Sequence, residues 1–213
     1  MSGGVEWVHV ARDAFEMQRA VIGVDPASLS GVCIYDALMD RPVYLGSVRL
    51  DGYTGIDLDP IVASLREVLD RHRVLEWGAA IERPFNRRGS VEAMRPWRAI
   101  MRRLATGRVD LGRKRSEVSK QAIADAVREA YHQTPRSMLG VAIAGDVKAA
   151  VVNRLRLVHK VRLDYEQHDI ADAAVMAEWL ARVARAGGVF RAARGKRPPR
   201  VFRWLRWVAG GKA

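Results

Sequence analysis

The chain has 213 residues, 49% of them hydrophobic, and a formal net charge of +12. That length suits one compact domain with tails, and that composition suits a full core. No run reaches the ~18 apolar residues of a membrane span, the single cysteine excludes an internal disulfide, and the cation surplus fits a polyanionic partner.

Cys33 lies in the apolar run Val32-Cys33-Ile34-Tyr35 and reads as a buried structural thiol in a reducing compartment. The N-terminal region carries Glu6 and Asp13 and no apolar signal core, so a cytoplasmic protein is expected. Thirty of the cations are arginine and six are lysine; arginine forks well onto phosphate. Residues 187–213 hold eight Lys/Arg and no acid, leaving about +4 on the body and +8 on the tail.

Residues 1–20 show no clear strand alternation, and Ala11–Ala20 reads as a short helix at most. Val21–Val24 reads as a buried strand, Ala27–Gly31 as a turn, and Val32–Tyr35 and Val43–Leu50 as the next two strands of an antiparallel meander. Pro60–Arg73 carries Ile61, Leu65, Val68 and Leu69 at helical spacing, with Asp59 placed to cap it. Trp77–Ile81 follows as a fourth strand, reached through that helix, which permits parallel pairing with the first. Helices are expected over Val91–Leu104, Glu117–His132, Asp146–Val158 and Ile170–Ala186, and a strand over Ser137–Ala144. Gly187-Gly188 then opens a basic tail with Pro198-Pro199 and an amphipathic stretch at Val201–Val208. The organisation expected is an N-terminal extension (1–20), an α/β domain (21–186) and a tail (187–213).

Four acids stand in apolar surroundings. Asp25 ends Val21–Val24 and Glu82 ends Trp77–Ile81, while Asp169 and Asp172 open an alanine-rich helix on one face. Parallel neighbouring strands would bring Asp25 and Glu82 to one sheet edge, where a helix packed across it adds the other two. Four carboxylates suit hard cations such as Mg²⁺ or Mn²⁺, and two ions ~3.5–4 Å apart drive in-line phosphodiester hydrolysis. Each acid also has a structural reading. Asp25 before Pro26 can start a turn, Asp169 can be a helix cap with Asp172 its first-turn partner, and Glu82 can pair with Arg83 or Arg87.

Together the motifs resemble a known family. Ile22-Gly23-Val24-Asp25-Pro26 with Gly31 resembles the first motif of the RuvC Holliday junction resolvases. Ala80-Ile81-Glu82 with Phe85 resembles their second, and Asp169-Ile170-Ala171-Asp172-Ala173 their last, over about residues 20–185. The resemblance implies a ribonuclease H-like fold, with a mixed five-stranded sheet, antiparallel then parallel, flanked by helices. It implies a homodimer that takes four-way DNA junctions, in recombination and repair, and cuts them by symmetric nicks leaving 5′-phosphate and 3′-hydroxyl ends. Asp25, Glu82, Asp169 and Asp172 would hold two Mg²⁺ or Mn²⁺ ions. Phe85 matches an aromatic that stacks on bases near the junction centre, and its alternative is core packing; Arg87 and Arg88 follow it on a polar loop. Lys148 matches a catalytic lysine and can equally be a plain phosphate contact. The family's second lysine has no clear counterpart here, Arg136 being the nearby cation.

His168 can ligate metal, orient water, or simply be a solvated residue at a helix start. Arg108, Arg113, Lys114 and Arg115 crowd the segment Thr106–Arg115 and read as a grip on the DNA backbone or as a solvated loop. In the tail, Phe202, Trp204, Leu205 and Trp207 alternate with Arg200, Arg203 and Arg206, a pattern suited to nucleic acid, a partner or the dimer surface. Two other functions stay open: a broader branched-DNA or flap nuclease, and a catalytically silent nucleic-acid binder.

Overall fold

A seven-residue strand, Arg19–Asp25 (β2), is buried from its first residue to Val24 and only half-buried at Asp25. Its run of Val, Ile and Gly has no polar face, as a central strand covered on both sides requires. Around it the computed structural model describes residues 3–11, 16–50, 57–83, 88–106, 127–131, 146–186 and 200–201. The other strands are β1 (Glu6–Val10), β3 (Leu29–Asp36), β4 (Arg41–Arg49), β5 (Glu76–Arg83), β6 (Val127–Tyr131) and the two-residue β7 (Arg200–Val201). Their order is β1-β4-β3-β2-β5-β6, with β7 pairing β5. β2, β3 and β4 form the antiparallel meander, and β5 and β6 then join in parallel. The mixed sheet with flanking helices is thus as expected, and β1 extends it beyond β4.

Among the described residues four helices flank the sheet: α1 (Asp59–Arg71), α2 (Arg88–Thr106), α3 (Val147–Val158) and α4 (His168–Ala186), with a 3₁₀ turn at Tyr165–Gln167 before the last. Their sides follow from one dipeptide. Ser30 and Gly31 are consecutive on β3 and so face opposite ways. Trp97 Nε1 donates to Ser30 Oγ at 3.0 Å, both groups buried, which puts α2 on one face, and α1 packs beside it. On the other face, a Cβ on Gly31 would lie 1.9 Å from the carbonyl oxygen of Asp169, and one on Gly23 1.9 Å from that of Ala173. Only glycine lets α4 come so close. The helix meets the sheet with small side chains of its own, Ala173, Ala174, Ala177 and Ala181, all buried, and α3 packs against it.

Four local expectations are corrected. Glu6–Val10 is a strand, paired to β4 with a register shift between Trp7 and His9; edge pairing supplies the order that its weak alternation hid. Residues 16–18 are not helical and Arg19-Ala20 already belong to β2, while 12–15 lie outside the described residues. Val127–Tyr131, expected within a helix, pairs in parallel with Ala79–Arg83; its valine and tyrosine suit a strand, and tertiary pairing overrides the helical reading. The remainder of 117–132, the strand expected over 137–144 and most of the tail lie outside the described residues. Finally, Leu58 rather than Asp59 occupies the cap position of α1, with no side-chain cap; Asp59 instead pairs with Arg103 at 2.6 Å.

Candidate active site

β2 and β5 run in parallel, with Val24 opposite Ile81. Asp25 and Glu82 each follow that pair, so the two carboxylates emerge side by side at the C-terminal ends of adjacent strands. Across β2, Asp25 lies opposite Gly31. The close seat of the Asp169 backbone over Gly31 then delivers the first turn of α4, with Asp169 and Asp172, to the same sheet edge.

The four groups feel one another. Asp25 is held well above the ordinary carboxylate range, first by burial, then by the charge of Glu82 and a hydrogen bond with it, then by Asp172 and Asp169. Asp172 is pushed up to about 7 by burial and by the charges of Glu82 and Asp169, with Lys148 opposing. Asp172 Oδ1 is buried and has no hydrogen-bond partner. Buried acceptors are rarely left so, and crowded carboxylates call for a counter-cation.

Hard oxygen donors, mutual repulsion and an orphaned carboxylate oxygen fit divalent Mg²⁺ or Mn²⁺. Asp25, Glu82, Asp169 and Asp172 are the residues that would hold such ions. Among the described residues no three His, Cys, Asp or Glu side chains already converge as a formed cage.

Beside the acids stands a basic relay. The Lys148 ammonium touches His168 Nε2, and His168 Nδ1 lies 2.9 Å from Asp169 Oδ1, a contact without hydrogen-bond alignment. Sequence reasoning missed what holds this relay. Asp146 caps α3 by accepting from the backbone N–H of Lys148 at 2.9 Å. Its other oxygen accepts from the Tyr165 hydroxyl at 2.9 Å, which depresses the Asp146 carboxyl. The Tyr165 ring leans on His168, with centroids 6.2 Å apart. One carboxylate thus ties the start of α3 to the turn that precedes α4. An aspartate at the head of a helical run was a visible cap signal; nothing in Asp164-Tyr165-Glu166-Gln167 advertised the tyrosine's role.

Not all expected contacts fall within the described residues. Phe85, Arg87, Arg108, Arg113, Lys114, Arg115 and Arg136 lie outside them, and Arg88 is described only as the backbone start of α2. No helix among the described residues is long and apolar enough to cross a membrane.

No family model matches the chain, and no curated protein matches its sequence. Among solved structures it is similar to Thermus thermophilus RuvC, with TM-score 0.50 and 19% identity over 79% of this chain and 96% of that one. A second is T. thermophilus RuvC in complex with a Holliday junction substrate, with TM-score 0.47, 21% identity and the same coverage. The fold is RuvC-like. It is the ribonuclease H-like arrangement, in which the end of a strand pair and the head of a packed helix meet at one edge.

Proposed function

We propose that the chain is a metal-dependent, structure-selective DNA endonuclease that resolves four-way junctions. It would act as a homodimer and make symmetric paired nicks, leaving 5′-phosphate and 3′-hydroxyl ends. The observation that carries this reading is the set Asp25, Glu82, Asp169 and Asp172 at one sheet edge, where the charges of Glu82 and Asp169 add to burial in raising the proton affinity of Asp25 and Asp172, in a chain of net charge +12. A protein that only bound nucleic acid would gain nothing from four acids facing phosphate.

Two hard divalent cations, when bound, supply water activation and stabilisation of the leaving oxygen. The chain's own part is positional and electrostatic. β2 and β5 fix Asp25 and Glu82 on rigid strands, and α4 presents Asp169 and Asp172 from the other side. Lys148, held against His168, sets a cation beside Asp172 that offsets charge developing on the phosphate. Asp146 and Tyr165 keep that cation's helix in place.

The test is cleavage of a synthetic four-way junction with Mg²⁺ or Mn²⁺. Wild type should place paired nicks symmetrically, and Asp25→Asn should bind the junction without cutting it. Equal cutting of forks and flaps would replace the resolvase by a broader branched-DNA nuclease. Failure to cut any branched DNA with either metal would sink the nuclease reading.

A further inference from the structure

Helix α2 has one face in the core and one made of arginine. Met94, Trp97, Ile100, Met101 and Leu104 are buried. Arg95 and Arg102 are exposed and Arg98 is half-exposed. At 100° per residue these three fall on one stripe, opposite the apolar one. By sequence the helix carries one acid, Glu92, against Arg88, Arg95, Arg98, Arg102 and Arg103. Arg103 is already paired with Asp59 at 2.6 Å, and its carbonyl accepts from Arg66 Nη2 at 3.1 Å, which adds another cation at the far end. Arg98 and Arg102 also make contacts within the chain.

The stripe has a direction. α2 opens at Arg88, a few residues after Glu82, and packs along β5. It therefore runs from the carboxylate edge back along the flank opposite α4. Arg95 to Arg102 span about 10 Å at ~1.5 Å per residue, the rise of about three phosphates at ~3.4 Å per strand step. Arginine's fork suits phosphate oxygens.

We propose that Arg95, Arg98 and Arg102 form a phosphate-contacting ridge that holds one duplex arm of the nucleic-acid substrate as it leaves the carboxylate site. The ridge rests on the nuclease reading for where the arm begins. It is sequence-independent: it reads backbone charge, not bases.

The experiment measures binding of a fluorescent four-way junction across a salt series, without divalent metal, for wild type and Arg95→Gln/Arg98→Gln/Arg102→Gln. Each lost phosphate contact lowers the slope of log affinity against log salt by about 1. The triple variant should therefore lose about 3 from the slope and bind at least tenfold more weakly at low salt. The lysine triple (R95K/R98K/R102K), which keeps the charges, should retain most of the slope. An unchanged slope and affinity in a folded glutamine triple would overturn the ridge. Should that protein fail to fold, Arg95→Gln alone must still lower the slope by about 1, and an unchanged slope there overturns it equally. Cleavage in the same proteins separates the two claims. Wild type that binds with a steep slope but never cuts would refute the nuclease and leave the ridge; normal cutting with an unchanged slope in the variants would do the reverse.

Discussion

The carbonyl oxygen of Asp169 rests on the bare Cα face of Gly31, 1.9 Å from where a Cβ would stand, and Gly31 is the cross-strand neighbour of Asp25. A glycine on β3 thereby sets how near the helix acids come to the strand acids. Gly31→Ala must push the head of α4 outward, an overpacking that costs ~1–3 kcal/mol or more. Calorimetry should then show weaker Mn²⁺ binding together with a lower melting temperature. Gly46→Ala is the control, because its Cβ would meet the Glu6 carbonyl oxygen at 2.4 Å, on the β1–β4 pair. It should lower the melting temperature and leave Mn²⁺ binding alone. Equal metal affinity in the Gly31 and Gly46 variants would refute the link.

Crowded carboxylates make the metal-free protein sensitive to alkali. Asp172 titrates at about 7 in the fold against an ordinary 3.8. A folded pKa above the unfolded one contributes stability that is full below the unfolded value and is lost as pH rises through the folded one. Between pH 4 and 7, then, the wild type in chelator should lose melting temperature through this group. Asp172→Asn should flatten that slope and melt higher than wild type at pH 8, while losing cleavage. Divalent cation should restore wild type at pH 8 and do little for the variant. A variant that melts no higher at pH 8 would rule out this repulsion.

How far the site could be foreseen divides by range. Asp25, Glu82, Asp169 and Asp172 were legible because their motifs are local: an apolar strand ending in an acid, and two acids on one helical face. Gly31 could be named from its motif, yet its contact with the Asp169 backbone depends on a helix far along the chain. β1 escaped because an edge strand with both faces partly exposed has no apolar stripe, its burial alternating between exposed and half-buried. β6 escaped because Val127–Tyr131 follows an alanine-rich stretch whose local preference is helical; its pairing to β5 is a tertiary fact. The Asp146–Tyr165 tie joins a helix cap to a 3₁₀ turn, and no periodicity records such a bond.

Lys148 lowers the proton affinity of Asp172 while sitting exposed at the head of α3. Lys148→Met should therefore raise the Asp172 titration point, visible by NMR of the carboxyl carbon in metal-free protein. It should also slow single-turnover junction cleavage by about 10²-fold, the usual cost of one charge-stabilising donor. Junction affinity should change far less. A loss confined to affinity, with the chemical step intact, would make Lys148 a plain phosphate contact.

Glu178 lies in the same helix as Asp172, but deep in the protein. Its side chain is 3% exposed and takes Arg154 at 2.6 Å, with Arg182 also bonded to it and His159 Nε2 at 3.5 Å. Burial alone would raise the carboxyl, yet these partners outweigh it and hold it at about 2. A folded pKa below the unfolded 4.5 contributes stability that is present above 4.5 and lost as pH falls towards 2. The shift is worth about 3 kcal/mol at ~1.36 kcal/mol per unit. Arg154 belongs to α3, so the same pair fixes the helix of Lys148 against the helix of Asp172. Glu178→Gln leaves the arginines without their anion and should destabilise by ~3–5 kcal/mol at pH 7. Between pH 4.5 and 2 its denaturant midpoint should move less than that of wild type. Parallel acid profiles for the two proteins would show that Glu178 is not the group that gives way.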